Sequence, residues 1–348
     1  MVTQQDVARE AGVSAATVSY VLKGADTISE ATRRRVMDAV EKLHYTKNLS
    51  AVGLRSGRNG IIGVAVHDLG ISHQTELARA ISLEALKHGY QALVQQTLTA
   101  RNEPELERAI IRSMVNQFCD GMIMSAGALS ADELHTLSNN KPIVLLDGHF
   151  LNNAFDTIFT PCERGARMAV GHLIERGCKR VLVVGTTYRR AENDEERIRS
   201  RFRHMEGIVG ALEEARLAAD PNLFLGGEWN ADGGYRAVRE AIGRGLDFDG
   251  IYCMSDDMAL GALHALHDAN ASGSAAGFIP VIGFDATDAG RHYTPTLSTI
   301  DTSNAEQARL SVETLIRRIE HPEDDFQPVQ ITVGCTLVER ESTAVAVG

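Results

Sequence analysis

Two carboxylates stand where hydrophobic runs stop: Asp147 ends Ile143-Val-Leu-Leu-Asp147, and Asp285 ends Val281-Ile-Gly-Phe-Asp285. Converging in one cleft, such a pair makes bidentate acceptors for the paired hydroxyls of a sugar. Singly, a carboxylate just past a strand can equally cap the next helix. His67, Asp68 and Ser255 also follow short apolar runs. Ligands of parallel sheets bind outside the carboxyl ends of strands, so position alone makes all five residues candidates. Trp229, the only tryptophan, lies in Gly-Glu-Trp-Asn, where an indole can stack on a sugar face or fill the core. Catalytic chemistry has less support. His264-x-x-His267 puts two imidazoles on one helix without a third ligand, and Asp256 and Asp257 point different ways as helix neighbours. No nucleophile elbow or phosphate loop occurs, so the chain does not read as an enzyme and no cofactor or metal is expected.

A different chemistry gathers in the first sixty residues. Thr3 and Asp6 have capping-box-like spacing, although Glu or Gln is the usual partner, and Val7, Ala8 and Ala11 follow at helical period until Gly12. Ser14 caps a second helix with Ala15, Val18, Val21 and Leu22 on its apolar face, ending at Gly24. A third helix begins near Ser29 and carries Val36, Ala39, Val40 and Leu43 on one side. Two short helices joined by a tight Gly-containing turn read as helix-turn-helix. On the polar face of the second helix, Ser14, Thr17, Ser19 and Tyr20 offer hydroxyls suited to phosphates, where no core needs them. Charge agrees. Residues 1–60 hold nine Lys/Arg and six Asp/Glu, the other 288 hold 26 and 40, and the whole chain carries −11. A basic head on an acidic body confines any polyanion to the head.

The elements that must position these groups alternate. Within 348 residues, 44% hydrophobic and 23% charged, predicted strands cover 61–66, 91–95, 121–125, 143–147, 180–185, 250–254 and 279–284. Amphipathic helices cover 75–87, 104–117, 164–176, 231–244, 256–268 and 303–320. Buried apolar strands with helices between them form parallel βαβ sheets. The fold class is therefore α/β, an all-α head followed by doubly wound parallel sheets. The dinucleotide fingerprint is missing after the first strand. The five cysteines (Cys119, Cys162, Cys178, Cys253, Cys335) fit neither a zinc site nor a disulfide framework, which predicts buried reduced thiols. With no signal-like apolar stretch and no run near the roughly 18 residues of a membrane span, the expected location is cytoplasmic.

The spacings of the head are specific. Val2-Thr-x-x-Asp6-Val-Ala8-x-x-Ala11-Gly-Val-Ser14-x-x-Thr17-Val-Ser19-x-Val-Leu22-x-Gly24, then Ser29-x-x-Thr32-Arg33 and Leu43-x-Tyr45, resemble the DNA-binding head of the lactose/galactose repressor (LacI/GalR) family. The body resembles that family over nearly its whole length. The resemblance implies four parts: a helix-turn-helix domain at 1–46, a hinge at 47–60, an N-subdomain at 61–160 and 301–326, and a C-subdomain at 161–300 and 327–348. Crossings between the subdomains are expected near Thr160, Ser298–Thr302 and Glu323–Pro328, with a ligand cleft between subdomains like those of periplasmic sugar-binding proteins.

It also implies a transcriptional repressor that binds a palindromic double-stranded operator as a homodimer and answers to a small carbohydrate. A transport receptor or a sugar-metabolising enzyme fits less well. Thr3, Ser14, Thr17 and Ser19 are the expected backbone contacts, and Ala15, Ala16 and Tyr20 the expected base readers. In the hinge the matching residues are Asn48, Ala51, Leu54 and Arg55, with Leu54 as a minor-groove wedge; Val52 replaces the usual Arg, and Gly53 weakens a hinge helix. The implied effector contacts are His73, Asp147, Arg203, His204, Trp229, Ser255 and Asp285. His204 stands where the family has an effector-holding Arg, and Arg203 or Arg201 is the nearby substitute. Asp256 is expected to cap its helix. A neutral mono- or disaccharide inducer is the first expectation; an anionic sugar derivative is the second, from the arginines at 189, 190, 197, 199, 201 and 203.

Overall fold

The computed structural model describes residues 2–22, 25, 28–45, 58–97, 104–117, 119–125, 127–148, 154–271, 277–324 and 327–344. They fall into two units, 1–59 and 60–348. In the first, Thr3 and Asp6 complete the capping box after all, since an Asp at the third helical position reaches back to the Thr3 amide at 2.9 Å. This starts α1 (Gln4–Ala11). Gly12 stops it at φ 62°, the left-handed conformation that glycine adopts without strain. Ser14 then caps α2 (Ala15–Leu22), and Ser29 caps α3 (Glu30–Lys42). Val7, Ala8, Ala11, Val18, Val21, Val36 and Ala39 bury one small core.

The second unit runs β1 (Ile61–Val66), α4 (Ser72–Lys87), β2 (Gln91–Gln96), α5 (Pro104–Gln117), β3 (Gly121–Ser125), α6 (Ala131–Ser138), β4 (Ile143–Leu146) and β5 (Asp156–Phe159). It continues with α7 (Cys162–Glu175), β6 (Val181–Val184), α8 (Asp194–Arg197), α9 (Ser200–Glu214), β7 (Phe224–Leu225), α10 (Ala231–Gly243), β8 (Gly250–Cys253), α11 (Asp256–Ala271) and β9 (Val281–Ile282). The last elements are α12 (Ala289–His292), β10 (Thr299–Asp301), α13 (Asn304–Glu320), β11 (Gln330–Thr332) and β12 (Thr336–Val338).

Two parallel sheets result, ordered β11-β5-β4-β3-β1-β2 and β7-β6-β8-β9. Strand side chains alternate between two cores because both faces are covered. Ile62, Val64 and Val66 of β1 pack beneath α4 and α13, while Ala65 joins Met114 and Met122 on the α5 side. In the second sheet Val181 and Val183 face one core, and Leu182 and Val184 the other. The five cysteines are buried and free.

The chain passes between subdomains after β5, around β10, and again late in the sequence. Here the expected boundary near Glu323–Pro328 is corrected. β11 still pairs with β5 in the first sheet, so the crossing comes after Thr332. The cause is an ion pair: Arg318 on α13 binds both oxygens of buried Asp156 at 2.7 Å, and Asp156 accepts the Val329 amide at 2.8 Å. That anchorage holds the returning chain against the open edge of β5. β12 then pairs antiparallel with β10. Among the described residues no helix is long and apolar enough to cross a membrane.

Candidate functional site

In the head, Ser14, Ala15, Ala16 and Tyr20 are exposed on α2, Tyr20 at 55%, while Thr17 and Ser19 are half-buried. The hydroxyls are not idle, and Ser14 caps its helix as expected. Ser14 Oγ accepts the Thr17 amide at 3.1 Å and lies 2.9 Å from the Thr17 hydroxyl. Thr3 Oγ1 donates to Asp6 at 2.7 Å. Capping thus orients these groups before any nucleic acid arrives. Asn48, Ala51, Leu54 and Arg55 lie outside the described residues.

In the second unit, the carboxyl ends of both sheets supply a cleft. Asp147 follows β4 at φ 51° and accepts the Thr160 amide at 2.9 Å and its hydroxyl at 2.6 Å. From the other subdomain, Arg203 on α9 reaches Asp147 at 3.4 Å and donates to the Thr160 carbonyl at 2.6 Å, with its guanidinium over Phe159. Three more contacts join the subdomains. Ser72 donates its amide and hydroxyl to Asp257 at 3.0 and 2.6 Å, Glu76 accepts the Asp288 amide at 2.9 Å, and His73 Nδ1 lies 3.6 Å from Asp285. His73 Nδ1 is fully buried and has no hydrogen-bond partner.

Burial and the neighbouring Asp256, Asp257, Glu76 and Asp147 push the Asp285 carboxyl well above its usual range. Burial lowers the His73 imidazole, against the pull of Asp147 and Asp257.

Asp256 is not the helix cap expected from sequence. It occupies the first helical position, so the cap falls to Ser255, whose hydroxyl accepts the Met258 amide at 3.3 Å. Asp256 instead accepts the Thr287 amide at 2.7 Å and the hydroxyls of Thr287 and Thr299 at 3.2 and 2.5 Å. It therefore fixes the turn that carries Asp285. Its carboxyl is raised to about 7 by burial, against the lowering hydrogen bonds from Thr299 and Thr287.

His204 is 2% exposed, 2.7 Å from the Tyr252 hydroxyl and edge-on to Phe284. Burial first, then Arg203, hold it down to about 3. The ring is thus neutral, and the positive charge has moved one residue back to Arg203. Trp229 is half-buried, donates Nε1–H to the Gly185 carbonyl at 3.1 Å, and stands edge-on to His204. Ser255 is buried, and Asp68 is used by the Gly70 turn.

Apart from Arg203, the arginine crowd faces outward. Arg189 pairs with Glu192 and Glu196, Arg190 with Glu213 and Arg197 with Asp194. Ser72, Glu76, Asp257, Thr287 and Tyr252 were not foreseen as cleft residues. Their partners are up to 212 positions away, and no local pattern signals them. A separate cavity of about 370 Å³ flanks α11 beside His264, His267, Phe278 and Tyr293, and none of the cleft residues lines it.

Residues 3–48 match the model described as bacterial regulatory proteins, lacI family, and residues 170–343 match a periplasmic binding protein-like domain. The HTH-type transcriptional regulator GalS of Salmonella typhimurium is 33% identical over 315 residues, 90% of this chain and 88% of that protein. A LacI-family transcriptional regulator from Sanguibacter keddieii superimposes with a TM-score of 0.71 at 28% identity, covering 83% of this chain and all of that one. The Lac repressor bound to ONPG in its repressed state gives 0.77 at 25% identity over 99% of both chains. With a matching head, a matching body and a relative this similar over nine-tenths of its length, the chain belongs to the lacI family of bacterial regulatory proteins.

Proposed function

We propose that this regulator is a cytoplasmic repressor that binds a palindromic operator as a homodimer and is controlled by a small carbohydrate in the cleft of its second unit. The observation that carries this reading is the pairing across the cleft. Asp147 and Asp285 come from opposite subdomains, and each already meets a basic side chain from the other, Arg203 and His73. A hydroxylated ligand competing for those carboxylates acts on both subdomains at once and favours one arrangement of them. A coupling of about 1–3 kcal/mol changes operator affinity roughly 5–150-fold. Trp229 offers an apolar wall beside the buried His204 ring. An anionic effector loses its support, because Arg189, Arg190 and Arg197 are engaged with surface carboxylates. No cofactor enters this scheme.

The test is a gel shift on the DNA upstream of the protein's own gene, with and without a sugar panel. A specific shift whose strength changes with one carbohydrate is the expected result. No specific shift under any of these conditions overturns the proposal.

A further inference from the structure

We infer that the cleft takes a sugar bearing a protonated amine, with Asp285 receiving the ammonium group; this rests on the carbohydrate reading above. Charge in the cleft is unbalanced. Glu76 from α4, Asp147 from the end of β4, and Asp256 and Asp257 from α11 all bear on Asp285. Arg203 is committed to Asp147 and the Thr160 carbonyl. Arg291, near Glu76, is 59% exposed and pairs with Asp288. Arg340, near Asp256, donates to the Leu297 carbonyl.

Asp285 is left with His73 alone, at 3.6 Å, and that imidazole sits in surroundings that oppose its protonation. Among the described residues its buried Nδ1 has no hydrogen-bond partner. A ring nitrogen without a partner and a carboxyl that burial and four neighbouring acids keep from ionising thus face the same point. A hydroxyl carries one proton and no charge, so it satisfies one acceptor and does nothing to let the carboxyl ionise. An ammonium carries three protons and a full positive charge, so it can donate to both groups and offsets the like charges that keep the carboxyl from ionising. The neutral His204 ring places no competing cation beside it.

The experiment is calorimetry on the full-length protein at pH 7.5 with D-glucosamine, D-galactosamine and D-mannosamine, each against its parent hexose and its N-acetyl derivative. At least one amine is expected to bind tenfold or more tighter than both neutral counterparts, a difference of about 1.4 kcal/mol. Asp285→Asn, nearly isosteric, should bring the three forms to parity, with folding checked by circular dichroism. His73→Lys places the cation in the chain itself and should erase the preference by an independent route. Equal or tighter binding of a neutral sugar, or binding of none of the three amines, overturns the inference. If a neutral sugar nonetheless changes operator binding, the carbohydrate reading stands while this one falls; if no sugar of either charge binds or affects the operator, both fall.

Discussion

Asp256 offers a quantitative check on how the Asp285 turn is held. The perturbation is Asp256→Asn, which keeps the side-chain shape but cannot ionise. In the folded protein the carboxyl is raised from 3.8 to about 7, chiefly by burial. Between those values the folded chain retains a proton that the unfolded chain has released, so stability falls as pH rises and is greatest below pH 4. At about 1.4 kcal/mol per pH unit, the loss across the window is about 4 kcal/mol. The variant has no such titration. Its fixed cost, from rearranging the bonds to Thr287 and Thr299, is the same at every pH and cancels when the pH dependence of the difference is taken. Urea unfolding of both proteins from pH 4 to 8 should therefore show the wild type losing about 4 kcal/mol relative to Asp256→Asn. The slope should run from about pH 4 to about pH 7 and level off above that. A difference constant within about 1 kcal/mol across the range refutes the argument that Asp256 is held as a buried acid.

Four further outcomes are expected. Arg318→Met strands the buried Asp156 carboxylate and should cost about 3–5 kcal/mol in urea unfolding. Gly261→Ala sets a methyl 1.9 Å from the Ala231 carbonyl oxygen where α10 and α11 touch, and a loss of about 3 kcal/mol is expected; an unchanged midpoint would mean the helices separate freely. Arg203→Gln releases Asp147 and the Thr160 carbonyl, so small-angle scattering should record a wider cleft, and an unchanged radius of gyration counts against Arg203 as a latch. In the head, Ala15→Ser and Ala16→Ser add hydrogen-bonding groups at exposed positions. Selection of preferred operators should shift, and an identical preference would mean that α2 docks in another way.

Much of this protein is decided within short stretches of chain. Cap and period set the head: Thr3 with Asp6, Ser14 with Thr17, Ser29 with Thr32 and the left-handed Gly12 each act over three or four residues. The strands β1 and β3 match their predicted limits because continuous apolar runs can only be buried on both faces. Asp147, Ser255 and Asp285 were legible as strand-end residues for the same reason. What each of them does was not. Whether a carboxylate caps a helix, grips a threonine across a crossing or faces an imidazole depends on which distant segments of the chain the fold brings beside it. Asp256 shows this most plainly, since its partners Thr287 and Thr299 lie 31 and 43 positions on. β11, three residues long and mostly exposed, carried too little apolar pattern to be seen, and it was drawn to the first sheet by the open edge of β5 and by Arg318 on Asp156. The charge of the cleft is likewise a tertiary property. Six arginines near one strand suggested a positive site, but surface carboxylates hold Arg189, Arg190 and Arg197, and folding brings Glu76, Asp147, Asp256 and Asp257 from three separate segments to bear on Asp285. Local periodicity and capping act through neighbours in sequence, and electrostatic balance acts through neighbours in space.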